Sequence, residues 1–253
     1  MPRIFKLDLQ THFGALKGAL PLPDEPIRLA EFAFQIFPLE ERLVGMAVKH
    51  ATSSGKEKIS CGPKCGACCR QAVPVSIPEA FLLRDLILSM PQARRHEVLS
   101  RFEAIQLRLQ SESINLEIRS GESAQDRWLR VGLRYFKLGL ACPFLEDESC
   151  SIHPHRPTVC REFLVTSSPS ECGDPAKGTV RQIANPFSLP HCLARLTGVL
   201  MDQEPQLIMM PSALEYAEAN AEWNEKRFDA GLLYSTLFDI VKFMAEEEKN
   251  LRV

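Results

Sequence analysis

Residues 61–69 read CGPKCGACC, placing Cys61, Cys65, Cys68 and Cys69 in one short stretch, and ACPFLEDESCSIHPHRPTVCREF (141–163) adds Cys142, Cys150 and Cys160. Thiolates are soft ligands that suit zinc and iron–sulfur clusters. A loop containing Gly62, Pro63 and Gly66 can curl tightly enough to aim nearby side chains at one point. Neighbouring side chains diverge, however, so one of Cys68 and Cys69 is left for a second metal or for a role as a buried thiol. A scattered cysteine such as Cys192 is most simply a small buried hydrophobe. Seven cysteines in two tight groups are better explained as ligands. Arg156 and Arg161 bring positive charge to the second group, which lowers thiol pKa values and offsets the charge of a thiolate-ligated centre. Seven thiols exceed the four that one structural zinc uses, so an iron–sulfur cluster is preferred; zinc, as two sites, is the alternative.

Other chemistry is sparse. His153 and His155 flank Pro154, a spacing that does not put both on one regular helical face; His153 reads as a surface or packing residue before an extra ligand. His191 beside Cys192 has the form of a mixed N/S ligand pair, but a loop histidine without a role is the commoner outcome. There is no phosphate-binding glycine loop, no H-E-x-x-H and no serine-nucleophile motif, so no catalytic residue is assigned.

The elements that must position these thiols are mostly helical. With 45% hydrophobic and 25% charged residues among 253, the chain has the composition of a globular protein with a substantial core. Thirty basic residues against 32 acidic ones leave a net charge of −2, which provides no electrostatic case for nucleic acid or anionic lipid as a partner. No apolar run approaches the ~18–20 residues of a membrane span, and the first 25 residues lack a signal-peptide pattern. The expected location is therefore cytoplasmic, where clustered thiols bind metal or do redox chemistry and structural disulfides are rare.

Residues 1–60 read as a proline-rich arm followed by two helical patterns separated by Pro38. The second pattern carries Leu39, Leu43, Met46, Ala47 and His50 on one face. Residues 61–165 form the cysteine-cluster domain. Within it, Ser76 and Glu79 have capping-box spacing, Val98, Phe102, Ile105 and Leu109 make a helical stripe, and Trp128, Val131, Tyr135 and Leu138 read as core aromatics and their neighbours. The Gly121–Ser123 stretch reads as a turn before a helix start. Residues 166–253 read as a loop-rich segment to about Pro211, holding Cys172 and Cys192. A helical pair follows, opened by Ser212 and Glu215, with Leu233, Leu237, Ile240 and Met244 on its last face and a solvated charge run at 246–249. The fold class is mainly α, an irregular helical domain with cysteine-rich metal-binding loops.

The spacing C-x3-C-x2-C of Cys61, Cys65 and Cys68 occurs in radical S-adenosylmethionine enzymes, but those build the loop after the first strand of a β/α barrel, and helical periodicity dominates here. Both cysteine blocks together resemble the CxxxCxxCC, or YkgJ-like, cysteine-cluster family of zinc- or iron-chelating domains. The likeness rests on C-x3-C-x2-C-C at 61–69, CPFL at 142–145, Cys150, Ile152, Arg156-Pro157 and Cys160-Arg161. His153 departs from it, since the family commonly has tyrosine after the isoleucine. The resemblance implies metal or iron–sulfur binding through Cys61, Cys65, Cys68, Cys69, Cys142, Cys150 and Cys160. One branch of the family, the flagellin lysine N-methylases, modifies protein lysines; only the cysteine signature is shared with it, so that activity does not carry over.

The leading expectation is a cytoplasmic metal protein whose two cysteine groups close over an iron–sulfur cluster or zinc, with metal binding contributing to folding free energy. A cluster-dependent enzyme that modifies a protein or small molecule and a structural zinc module that recruits a partner protein are the alternatives.

Overall fold

A computed structural model describes residues 3–116 and 123–250, and the side chains at 124, 125, 128, 129 and 247–250 fall outside that description. Trp128 as a core aromatic, most of the charge run and the turn at 121–122 lie outside it too.

Polar Lys6, Asp8 and Gln10 alternate with buried Leu7 and Leu9, and this period of two makes a strand, β1 (Ile4–Thr11). It pairs antiparallel with β2 (Gly14–Pro21), setting Leu9 opposite Leu16. What reads from the sequence as an arm is thus a hairpin with one buried face. Next come β3 (Ile27–Arg28), α1 (Leu29–Gln35) and α2 (Phe37–Thr52), the two helices parted at Pro38, which sits in the first turn of α2. Leu39, Leu43 and Ala47 of its predicted face are buried, Met46 is half-buried and His50 is exposed.

The first cysteine block leads through β4 (Pro74–Ser76) into α3 (Ile77–Ser89), where Ser76 and Glu79 form the expected capping box. In α4 (Gln92–Ser111), Val98, Phe102, Ile105 and Leu109 are all buried, as the stripe predicts. Helix α5 (Ala124–Arg127) starts at Ser123, whose Oγ accepts from Asp126 N–H at 3.1 Å, and runs through a π turn (Trp128–Gly132) into α6 (Leu133–Lys137). The second cysteine block holds the small hairpin β5 (Leu145–Glu146) and β6 (Ser149–Cys150), then α7 (Thr158–Glu162) and α8 (Pro169–Cys172).

The segment read as loop-rich contains α9 (Leu189–Met201), a helix buried along most of its length. Leu189, Cys192, Leu193 and Leu196 recur at helical spacing and are wholly buried, while Pro190 sits in the first turn, where its missing N–H costs nothing. The chain continues through β7 (Leu207–Met209), α10 (Ala213–Ala219), α11 (Ala221–Glu225), β8 (Arg227–Phe228) and α12 (Ala230–Asn250). Ser212 precedes α10 but makes no cap; it lies 3.5 Å from Gln106 Nε2 instead. On α12 the buried face is Leu233, Tyr234, Leu237, Phe238 and Val241, and the predicted Ile240 and Met244 flank it half-buried.

The main core joins the first hairpin, α1–α3, α9, α10 and α12, and a smaller cluster of Ile105, Leu109, Ile114, Leu116, Val131, Tyr135 and Met209 sits beside it. The mainly α class holds, with only two-stranded sheets among the described residues. β4 pairs with β7, Val75 opposite Ile208, so the exit of the first cysteine block is hydrogen-bonded to the core.

Candidate metal centre

The first cysteine block is fastened at both ends. At its start, Ser60 N–H donates to Val165 O at 2.9 Å, Ser60 Oγ donates to Val165 O and Ser167 O, and Val165 N–H donates to Cys61 Sγ at 3.4 Å. Lys64 turns the chain with φ of 62°, in the left-handed region, just before Cys65. A single 3₁₀ turn, Ala67–Arg70, then presents Cys68 and Cys69. At the far end Cys142 N–H donates to Cys69 O at 2.7 Å, which docks the second block directly on the first.

The β5–β6 hairpin completes that docking. Asp147 and Glu148, at φ of 47° and 57°, form its two-residue turn, the left-handed geometry that matches strand twist. The turn lies against Gly66. A Cβ there would stand 2.5 Å from Glu148 Oε2, 2.8 Å from Leu145 Cδ1 and 3.3 Å from Glu148 Cα, so a side chain would push the turn and its side chains aside. Arg70 grips the same turn through both nitrogens, at 2.9 and 2.6 Å from the Glu148 oxygens. From the other side Arg94 and Arg101 of α4 pair with Glu146, and Phe102 meets Phe144 edge-on at 5.7 Å.

Cys160 is set by a buried strut. Glu79 Oε2 accepts from Ser76 N–H at 2.9 Å and Oγ at 2.7 Å, while Oε1 accepts from Thr158 N–H at 2.5 Å and Oγ1 at 2.8 Å. One carboxylate thus caps both α3 and α7, the helix that carries Cys160. Glu162, at the other end of α7, accepts from Leu189 N–H at 2.7 Å and caps α9 in turn.

These fastenings bring all seven predicted ligands together. Cys61 lies within electrostatic reach of Cys65 and Cys68; Cys69 of Cys68, Cys142 and Cys160; and Cys160 of Cys142, Cys68 and Cys150. Burial pushes most of the thiols up: Cys142 to about 12, and Cys61, Cys150 and Cys160 in the same direction. Cys68 is the exception. The hydrogen bond donated by Cys69 lowers it to about 7, with its own backbone N–H and Arg156 adding to the effect against burial. Cys69, as the donor, is pushed up. Arg156 reaches Cys61, Cys68 and Cys150, and Arg161 reaches Cys150 while stacking over Phe37 at 4.0 Å, so the expected positive charge is in place. Its effect on most thiols is smaller than that of burial.

All nine cysteines are free, and no three histidine, cysteine, aspartate or glutamate side chains among the described residues are already arranged to hold an ion. The thiols are neighbours but not a preformed coordination sphere. As a donor set they fit zinc or an iron–sulfur cluster: sulfur only, half-buried, with guanidinium charge alongside.

An eighth thiol, Cys172 at the end of α8, joins them. It is buried, within electrostatic reach of Cys61, Cys68 and Cys65, and α8 packs on the 3₁₀ turn. Nothing in its spacing from Cys160 signals that the chain turns back. Glu79 was legible as a helix cap but not as the anchor of Cys160. The histidines stay apart: His155 stacks on Phe34 at 5.4 Å, His153 is exposed, and His191 Nδ1 lies 2.8 Å from Ser188 Oγ. Cys192 is a core residue of α9, as its scattered position suggested.

A cavity of about 570 Å³ lies between the end of α4, β7 and α10, with Gln106, Asn115, Gln206, Glu215 and Tyr216 in its wall; no cysteine lines it. No described helix is long and apolar enough to cross a membrane. No curated protein and no solved structure matches the chain. Residues 60–176, which contain all seven predicted ligands and Cys172, match the model of the CxxCxxCC family, described as "Putative zinc- or iron-chelating domain".

Proposed function

We propose that this protein holds an iron–sulfur centre in the cytoplasm through Cys61, Cys65, Cys68, Cys69, Cys142, Cys150 and Cys160. The observation that carries the reading is the meeting of the two cysteine blocks, docked by the Cys142–Cys69 backbone bond, with Arg156 in reach of thiols from both. Seven thiols in one place are more than a single zinc ion uses, and the guanidinium offsets the charge of a thiolate-ligated cluster. Such a cluster supplies one-electron redox capacity when bound; zinc in the same thiols supplies only a cross-link. The chain's own part is to shape the pocket: Gly66 admits the hairpin, Glu79 fixes α7, and Arg70 locks the turn.

The test is anaerobic purification with iron, zinc and acid-labile sulfide analysis and an absorption spectrum. Iron and sulfide in near-stoichiometric amount with broad visible absorption support the proposal, and replacing Cys65 and Cys68 with serine should abolish them. Stoichiometric zinc in a colourless protein would replace the cluster with a structural clamp. Unchanged metal in the double variant would sink the ligand assignment.

One observation favours an enzyme as a second reading. Tyr135 packs with Ile114, Leu116 and Met209, which line the cavity, and also lies in electrostatic reach of Cys142. Tyr135 therefore links the cavity wall to the neighbourhood of Cys142. Binding of a small molecule that perturbs the spectrum of the metal centre would support this reading.

A further inference from the structure

We propose that the cavity beside β7 docks an extended peptide of a partner protein, which adds as a third strand to the open edge of β7 and brings a basic side chain to Glu215. The proposal goes beyond metal binding and does not depend on it.

The register of the β4–β7 pair decides which main-chain groups face outward. Val75 lies opposite Ile208, and Met210 N–H donates to Val73 O at 2.7 Å, so 73/210 and 75/208 are the hydrogen-bonded pairs of this antiparallel ladder. The pairs between them, Pro74 with Met209 and Ser76 with Leu207, are not: Pro74 has no N–H, and Ser76 N–H is given to Glu79 Oε2. In such pairs the main-chain groups of each strand turn away from its partner. The N–H groups of Leu207 and Met209 and the C=O of Leu207 therefore face the other edge of β7. No strand pairs with that edge among the described residues, and none of the three groups bonds to a described residue.

The cavity of about 570 Å³ follows this edge. Ile208 lines it although its side chain belongs to the main core, so the cavity reaches the strand itself and not only one of its faces. Exposed Asn115, Gln206 and Glu215 open it to solvent. An unpaired strand edge is a template for another chain. Donors at every second residue ask for an extended backbone with the same spacing, and the three residues of β7 offer about 10 Å of pairing. Buried Ile114, Leu116, Leu207 and Met209 supply apolar contact for its side chains. The remaining wall sets the sign of the charge. Glu215 is the one charged side chain in it and has no ion pair among the described residues. Gln106 and Asn220 each give an amide nitrogen to a main-chain carbonyl, of Pro211 at 2.7 Å and of Tyr216 at 2.9 Å, which leaves their amide oxygens as acceptors. A carboxylate and amide oxygens, with no lysine or arginine beside them, suit an ammonium or guanidinium group.

Full-length protein as purified is titrated with a fluorescein-labelled heptapeptide of alternating valine and arginine, and binding is read by fluorescence anisotropy. Saturable binding is expected, with slowed amide exchange at Leu207 and Met209. The same peptide N-methylated at each residue keeps every side chain but offers no main-chain donor, and should bind at least about tenfold more weakly. Glutamate in place of arginine should also weaken binding, and Glu215→Gln should lower affinity for the arginine peptide by roughly twofold to fivefold. Ala219 is exposed on α10 at the cavity wall, so Ala219→Trp should block the peptide while leaving the circular dichroism unchanged. Undiminished binding of the methylated peptide would overturn strand addition without any change to the protein. Undiminished binding by Ala219→Trp would overturn the site, and equal affinity for the glutamate peptide would overturn the basic partner. No binding to wild type up to about 1 mM, the weak end of specific association, would overturn the proposal as a whole. A wild-type dimer that Ala219→Trp makes monomeric would overturn it in favour of a second copy on this edge.

Discussion

Glu40 of α2 is buried completely, and neither carboxyl oxygen has a hydrogen-bonding partner among the described residues. Burial first, then the neighbouring Glu162 and Glu79, push its pKa well above the 4.5 of a free side chain, against the pull of Arg161. The folded protein therefore keeps a proton here that the unfolded chain releases above pH 4.5, and stability falls as pH rises. Between pH 4.5 and the raised folded pKa, each pH unit removes about 1.4 kcal/mol of stability. Glu40→Met keeps the volume and removes both the proton linkage and the unpaired oxygens. It should stabilise the protein, with the gap over wild type widening by about 1.4 kcal/mol per pH unit while the folded carboxyl keeps its proton. Urea unfolding of both proteins at equal metal loading, at several pH values above 4.5, measures the gap. Metal loss with pH affects both proteins and cancels in the difference. A pH-independent gap would refute the reasoning, because it would mean that Glu40 ionises in the fold with a partner that stabilises its charge.

Glu79→Ala leaves two buried backbone N–H groups, of Ser76 and Thr158, without their acceptor, and should lower stability by roughly 3–5 kcal/mol in urea unfolding. Gly66→Ala drives a methyl group against Glu148 and Leu145, and should cost about 1–3 kcal/mol. It should also weaken metal uptake measured by competition with a chelator; unchanged affinity would show that the hairpin does not need its close approach.

The parts of this fold that could be read in the sequence are those whose signal is local. The α4 stripe at Val98, Phe102, Ile105 and Leu109 and the Ser76–Glu79 cap depend only on helical spacing, and both are present. The hairpin of β1 and β2 was written in the alternation around Leu7 and Leu9, but its turn, THFG, lacks the Asn-Gly or Asp-Gly pair that marks tight hairpins. α9 was obscured by Pro190 and His191, which suit a loop as well as a first turn. Ser212 and Glu215 have the spacing of a cap without forming one, because Ser212 belongs to a 3₁₀ turn beside Gln106. At the site, clustering exposed seven thiols. Cys172 and the far side of Glu79 depend on which segments return to one another, and that is decided by the core rather than by spacing.

The same geometry changes what metal is expected to do for the fold. Spacing alone suggests that metal ties two distant blocks together. Yet Ser60 bonds to Val165, Cys69 to Cys142, Arg70 to Glu148 and Glu79 to Thr158 through protein atoms alone. The main core, with Phe32, Phe81, Leu193 and Leu237 wholly buried, is built from elements outside the first cysteine block. As proposed, the metal would join thiols whose surroundings are already held by protein contacts, and its binding energy would be spent locally. Under hydrogen exchange, metal-stripped protein should retain protection in α3, α9 and α12 while residues 61–70 and 142–152 exchange at least tenfold faster, a local opening change of about 1.4 kcal/mol or more. Loss of protection throughout α9 and α12 on stripping would refute this, and would make the metal a condition of folding, as in a zinc finger.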